Sequence, residues 1–186
     1  MRVITGTARG KRLKELSGLE TRPTTALVKE SLFNIVQFDL EGRRILDLFG
    51  GTGQLGIEAL SRGAAHVTFV ELRKEAVRLI RDNLAATKLQ DRATVLQGDA
   101  LAFLSRCRER YDLIFLDPPY DSKLLDQSLE SVVGFDILNE HGIIICESTA
   151  EKRMPVLPAP YKKGRDYRYG QIQLTAYSRQ GSDPGT

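Results

Sequence analysis

From Arg44 onward the chain is predicted to form a doubly wound α/β domain on a mostly parallel sheet, and three observations predict it. Strand and helix signals alternate, the strand signals are short and almost wholly apolar, and a glycine-rich turn follows the first of them. Apolar strands of this kind suit a sheet covered by helices on both faces, and the alternation joins parallel neighbours through helical crossovers.

Taken in order, strands are predicted over 45–49, 66–71, 93–97, 113–116 and 142–146, with another near 171–177. Helices are predicted over 55–62, 73–87, 100–106 and 124–133. Ahead of these, residues 2–20 read as short extended pieces with turns at Gly6, Gly10 and Gly18, a small hairpin carrying Arg9, Lys11, Arg12 and Lys14. Thr24 or Thr25 then caps a helix reaching about Phe38, because Leu27, Leu32, Phe33, Ile35 and Val36 form an apolar stripe near helical period. The organisation that follows is an N-terminal extension over 1–40, an α/β domain over 41–178 and a disordered tail over 179–186. Within the domain, 151–170 reads as a loop-rich excursion because it contains Pro155, Pro158, Pro160 and Gly164.

Composition narrows the function classes. A chain of 186 residues supports one substantial core with a small appendage. Its two cysteines, Cys107 and Cys146, have no metal-ligand spacing, and two histidines complete a set too sparse for a zinc site or a disulfide scaffold. The first residues lack the apolar core of a signal peptide, and no run approaches the roughly 18 apolar residues of a membrane helix, so a cytoplasmic, membrane-free protein is expected. Net charge is only +3, yet residues 1–30 hold seven Lys/Arg against three Glu, and 151–170 hold six against one Glu and one Asp. Two basic zones suit a polyanion if the fold joins them beside a site; otherwise they are ordinary solvated surface.

The turn after the first strand carries Gly51, Gly53 and Gly56 in a GxGxxG pattern, which lets a backbone approach a ligand at a helix N-terminus. By itself this also describes an NAD site. Glu71 closes the second strand twenty residues after Gly51, where a carboxylate holds the ribose hydroxyls of an adenosine cofactor. Asp47, inside the first strand, is costly to bury without a partner. It fits the ammonium of S-adenosylmethionine better than the anionic pyrophosphate of NAD. Asp99, with the Ala100 amide beside it, is placed to receive an adenine ring, and it also reads as a simple helix cap.

The fourth strand closes in Asp117-Pro118-Pro119-Tyr120. An exocyclic amine on a nucleobase is a weak nucleophile because its lone pair is delocalised into the ring. Asp117 and the Pro118 carbonyl offer acceptors for its protons, the prolines stiffen the turn, and Tyr120 offers a face for a flipped base. Neither cysteine has the context of a nucleophile.

With these residues in place the chain resembles a class I S-adenosylmethionine-dependent methyltransferase. The segments RVITGTARGKRL, TRPTTALVKESLFNIV, DLFGGTGQLGIEALSRGA and YDLIFLDPPY are together similar to the bacterial 16S ribosomal RNA guanine-N2 methyltransferase family, RsmD, over residues 2 to about 178. Where that family usually carries an Asp-Arg pair after RPT, Thr25, Ala26 and Leu27 stand here. The resemblance implies a Rossmann-like methyltransferase fold with a seven-stranded sheet and S-adenosylmethionine as cofactor. It also implies a monomer that methylates N2 of one guanine of 16S ribosomal RNA within the small ribosomal subunit or an assembly intermediate. Asp117, Pro118 and Tyr120 are then the catalytic set, and Asp47, Gly51, Gly53, Glu71, Asp99 and Ala100 the cofactor set. Candidate RNA contacts are Arg9, Lys11, Arg12, Arg22, Lys29, Lys162, Lys163, Arg165 and Arg168, with Arg22 singled out because Pro23 stiffens its presentation. The residues themselves leave guanine N2 and adenine N6 open, in RNA or DNA. They leave an NAD-dependent oxidoreductase and a non-catalytic RNA-binding module as more distant readings.

Overall fold

Seven strands form one sheet in the order β3-β2-β1-β4-β5-β7-β6 in the computed structural model, which describes residues 1–16, 26–119 and 123–181. The strands are β1 (Arg44–Asp47), β2 (His66–Glu71), β3 (Ala93–Gln97), β4 (Tyr111–Leu116), β5 (Leu138–Thr149), β6 (Tyr161–Tyr169) and β7 (Ile172–Arg179). The first five are parallel, and β7 runs antiparallel between β5 and β6. This is the mostly parallel sheet of the Rossmann-like class I methyltransferase fold. Strand order reverses between β1 and β4, and in open sheets that switch point is where a crevice opens beyond the carboxyl ends.

The helices are α1 (Ala26–Ile35), α2 (Gln54–Ser61), α3 (Lys74–Thr87), α4 (Ala100–Arg106) and α5 (Leu124–Gly134). Helices α2 and α3 pack over β1, β2 and β3 in one core, and α4 against β2 and α5 against β4 and β5 in the other. Two cores result. One joins Ile45, Val67 and Phe69 of the sheet to Ile57, Leu60, Ile80 and Leu84. The other joins Leu46, Ile114, Leu116 and Ile144 to Leu104, Leu129 and Val132.

That winding leaves β4, β5 and β7 without a helix on the α2 side, and α1 fills the gap. Its Leu32 and Phe33 join the core that contains Phe115, Ile145, Ile172 and Leu174, and the Phe33 and Phe115 rings meet edge to face at 6.0 Å. The N-terminal extension thus completes the sheet's cover. Its hairpin forms as predicted, through an Arg2–Arg12 bridge with Val3 N–H donating to Lys11 O at 3.0 Å. It docks on α2 where the Glu58 carboxylate accepts the Ile4 and Thr5 amides at 2.8 and 2.9 Å. Gly6 permits the closest approach, since a Cβ there would stand 1.8 Å from Ser61 O.

Three expectations need correction. The stretch 151–170 is only half loop, because β6 occupies Tyr161–Tyr169. Its sequence YKKGRDYRY hides a strand, since an outermost strand exposes its charged residues and needs little apolar alternation. The helix expected to reach Phe38 ends at Ile35, followed by turns. At the other end β7 continues to Arg179, whose guanidinium ion-pairs with Asp136 at 3.0 Å, so ordered structure passes the boundary at 178.

Candidate active site

The site is built where the parallel strands end. Asp47 closes β1 in register with Phe69 of β2 and Phe115 of β4, so the ends of these three strands lie side by side. Its carboxylate is buried at 2% exposure and Oδ2 accepts the Gly56 amide at 3.1 Å. Burial pushes its pKa up to about 7, with Gly56 opposing and Glu71 adding to the rise. One amide is a thin partner for a buried carboxylate, so a cationic ligand group would meet an unmet electrostatic need here.

Between β1 and α2 the chain turns through Gly51 at φ 53° and Gly53 at φ 78°, a left-handed path that side chains with a Cβ resist. Gly56 serves a different need. A Cβ at that position would fall 2.2 Å from the Phe69 ring, so its absence lets α2 lie directly on β2. Glu71 at the end of β2 holds this loop, accepting Gly51 N–H on Oε2 and Arg73 N–H on Oε1, both at 2.9 Å. Arg73 also reaches Oε1 through Nε at 3.2 Å. The cofactor glycines and the acid expected to face a ribose are therefore brought together.

Asp99 is exposed beyond β3 and caps α4, accepting Ala102 N–H at 2.8 Å, and Ala100 opens that helix, buried beside it. The cap reading of Asp99 is realised, and its place beside Glu71 is secured by Gly98 N–H donating to Glu71 O at 3.0 Å. Asp117 follows β4 immediately and is half-buried, Pro118 is buried, and Pro119 is exposed. Asp117 thus stands across the switch point from Asp47. Tyr120 and Arg22 lie outside the described residues.

Beside the two prolines lies a shallow cleft lined by Pro118, Pro119, Leu125, Glu147, Ser148, Thr149 and Lys152. Sequence reasoning missed Glu147 because it ended the fifth strand at Cys146. The signal was present, for an acid directly after an apolar run is the pattern that marked Asp47, Glu71 and Asp117. Lys152, also missed, is ion-paired with Asp126 at 2.8 Å.

The basic candidates divide. Arg9, Lys11 and Arg12 are exposed on the hairpin, and Lys162, Arg165 and Arg168 on β6. Among the described residues the hairpin is bonded to α2 and α3, while β6 is the outermost strand beyond β7. Lys163 is tied to Asp166 at 2.9 Å. Lys29 is corrected outright: it is 2% exposed, pairs with Glu58 at 3.0 Å, and donates to Arg2 O at 3.2 Å. Burial pulls its pKa down against the opposing pull of Glu58. An inward lysine so engaged anchors the hairpin and meets no phosphate.

Both cysteines are buried, and burial pushes the Cys146 thiol up, away from nucleophilic use. Among the described residues no three His, Cys, Asp or Glu side chains are grouped to hold a metal ion, and no helix is long and apolar enough to cross a membrane.

Comparison with known proteins gives a consistent family. The model for the family described as conserved hypothetical protein 95 matches residues 1–178. Ribosomal RNA small subunit methyltransferase D of Escherichia coli is 33% identical over 180 residues, covering 97% of this chain and 90% of that one. The Bacillus subtilis protein YlbH is 39% identical over 184 residues, covering 97% and 100%. Among solved structures, the Escherichia coli protein yhhF superposes with a TM-score of 0.88 at 34% identity, covering 98% of this chain and 99% of that one.

Proposed function

The chain belongs to the family described as conserved hypothetical protein 95 and is homologous to ribosomal RNA small subunit methyltransferase D, and from that premise we propose that it transfers a methyl group from S-adenosylmethionine to N2 of one guanine in 16S ribosomal RNA. The observation that carries this reading is the juxtaposition of Asp117-Pro118 with the Asp47–Gly51–Glu71 loop across the switch point.

The residues fit the cofactor. Asp47 supplies a carboxylate of raised pKa for an ammonium, the left-handed Gly51 and Gly53 leave room for a ligand against backbone, and Glu71 presents a carboxylate for ribose hydroxyls. Asp99 and the Ala100 amide stand where an adenine edge would be read. When bound, S-adenosylmethionine supplies a methyl group on a positively charged sulfur.

The chain's own part in the reaction is to orient the amine. Asp117 and the Pro118 carbonyl accept its two protons, which turns the nitrogen lone pair away from them and toward the methyl. Because proline has no N–H and its φ is restrained, the turn presents acceptors without a competing donor. As the nitrogen becomes cationic in the transition state, those two acceptors strengthen their hold, which is the differential stabilisation that accelerates a step. Asp117 holds the departing proton until water takes it. No covalent enzyme intermediate is required. Tyr120 completes this centre as a stacking face for the flipped base. Arg9, Lys11, Arg12 and Arg22, with the cations of β6, position the RNA backbone, and the protein works in the cytoplasm as a monomer on the assembling small subunit.

The test is transfer of labelled methyl from S-adenosylmethionine to small ribosomal particles, free ribosomal RNA and duplex DNA, followed by nucleoside identification. N2-methylguanosine in the ribosomal substrates is the expected product. Label found only as N6-methyladenosine in DNA would overturn the assignment.

A further inference from the structure

The hairpin that carries Arg9, Lys11 and Arg12 is joined to the cofactor turn by one buried side chain. Asn83 of α3 is 1% exposed and divides its amide between them. Its Oδ1 accepts Lys14 N–H at 2.8 Å, while Nδ2 donates to Lys14 O at 3.2 Å and to Thr52 O at 3.0 Å. Thr52 stands between Gly51 and Gly53, the residues whose left-handed φ shapes the loop. A second link runs from the Thr52 hydroxyl to Met1 Sδ at 3.8 Å. One turn earlier on α3, Ile80 packs on the same loop, its Cδ1 2.9 Å from where a Gly50 Cβ would stand. A two-stranded hairpin alone is marginal in water, and this one pairs only briefly around the Arg2–Arg12 bridge. Its place is set by side chains of the helices beneath it: Glu58 at Ile4 and Thr5, Ser61 Oγ at the Ala8 amide, and Asn83 at Lys14.

We propose that Asn83 is a positioning residue through which RNA bound on the hairpin tightens the cofactor site; this rests on the function proposed above. The Asn side chain has one carbonyl and one NH₂ on a single planar group. Lys14 and the Thr52 carbonyl are bonded to that same group, so it keeps its place against the glycine turn while Lys14 keeps its own. Phosphates on the exposed Arg9, Lys11 and Arg12 restrain the hairpin, and with it Lys14. The turn is then held in the arrangement the cofactor needs, and that ordering is already in place when the cofactor arrives. Linkage makes the effect reciprocal, so bound cofactor tightens RNA by the same factor. An enzyme built in this way fills its cofactor site best once its polymer substrate is docked.

The experiment measures binding of labelled S-adenosylhomocysteine by equilibrium dialysis, with and without saturating small ribosomal particles. In the wild type the particles are expected to lower the dissociation constant about fivefold or more, the lower end of ordinary coupling between sites. Asn83→Ala removes the shared amide, and Lys14→Pro removes the N–H that it accepts. Each should bring the ratio of dissociation constants to within about twofold of unity, where coupling is lost. Lys14→Ala loses the exposed ion pair with Asp82 but keeps both backbone groups, and should retain the wild-type ratio. A general loss of stability lowers affinity in both arms and leaves the ratio alone, so the ratio separates positioning from a merely structural role. Because Lys14→Pro leaves α3 untouched, it decides the question even where Asn83→Ala does not fold. A ratio of unity in the wild type overturns the inference. So does a wild-type ratio in Lys14→Pro, because the coupling then arises where RNA meets the cofactor directly. Wild-type protein that fails to bind S-adenosylhomocysteine or the particles overturns the proposed function itself, a distinguishable failure.

Discussion

The two halves of the crevice are built differently. On the β1–β2–β3 side every acid is already tied to the fold: Asp47 to Gly56, Glu71 to Gly51 and Arg73, and Asp99 to Ala102. The hairpin adds a clasp, for Asn83 of α3 accepts Lys14 N–H at 2.8 Å and donates to Thr52 O of the glycine turn at 3.0 Å. On the β4–β5 side the turn after β4 buries Pro118 and exposes Pro119 beside a shallow cleft, and beyond β7 lies an edge strand rich in charge. A small cofactor of constant shape is best met by preorganised backbone. An acceptor base belongs to a large polymer, so its placement is shared with surfaces far from the cleft.

Substitution should separate the halves. Asp117→Ala is expected to lower turnover by about 10²- to 10³-fold, the scale of losing one transition-state acceptor, while S-adenosylhomocysteine affinity measured by calorimetry stays within about threefold. Loss of both would merge the halves into one unit. Gly56→Ala drives a Cβ into the Phe69 ring and should cost about 3 kcal/mol in urea unfolding, at the upper end of overpacking penalties. Gly98, where an added Cβ meets nothing within 4 Å, is the control, and its alanine variant should cost less than about 1 kcal/mol.

Asp47 supplies a pH test. Its pKa is raised to about 7 in the fold, against an unfolded value of about 3.9, so between these values the native state holds a proton that the unfolded chain has released. The stability it contributes is full below about pH 4 and is lost as pH rises through 7. Urea midpoints of the wild type should therefore fall relative to Asp47→Asn from pH 5 to 8, and parallel curves would show that the carboxyl is not so perturbed. The smallest effects belong to the surface. Replacing Arg9, Lys11 and Arg12 together by alanine should flatten the log–log salt dependence of RNA binding by about 2, and the same change at Lys162, Arg165 and Arg168 reveals whether the polymer also runs along β6. A flat response in the first set with a large one in the second would place the RNA on the acceptor half alone.

Much of the cofactor half was legible in the sequence because its requirements are local. A left-handed turn needs Gly51 and Gly53, close helix packing needs Gly56, and acids at strand ends are visible against apolar runs. Lys29 was misread because charge alone does not reveal direction: its partner Glu58 lies 29 residues away and the pairing exists only once α1 covers the sheet. β6 escaped for a related reason, since an edge strand takes its stability from pairing with β7 rather than from its own apolar pattern. Glu147 fits the rule that marks the other acids, but the apolar run stops at Cys146 while β5 continues three residues further, to Thr149.

The central claim is that the carboxyl ends of β1, β2 and β3 hold an amino-acid-bearing adenosine. Calorimetric titration of the protein with S-adenosylhomocysteine and with NAD tests it without any acceptor substrate. Saturable binding of S-adenosylhomocysteine, weakened in Asp47→Asn and in Glu71→Ala, with no heat from NAD, is the predicted result. Saturable binding of NAD with none of S-adenosylhomocysteine would contradict it.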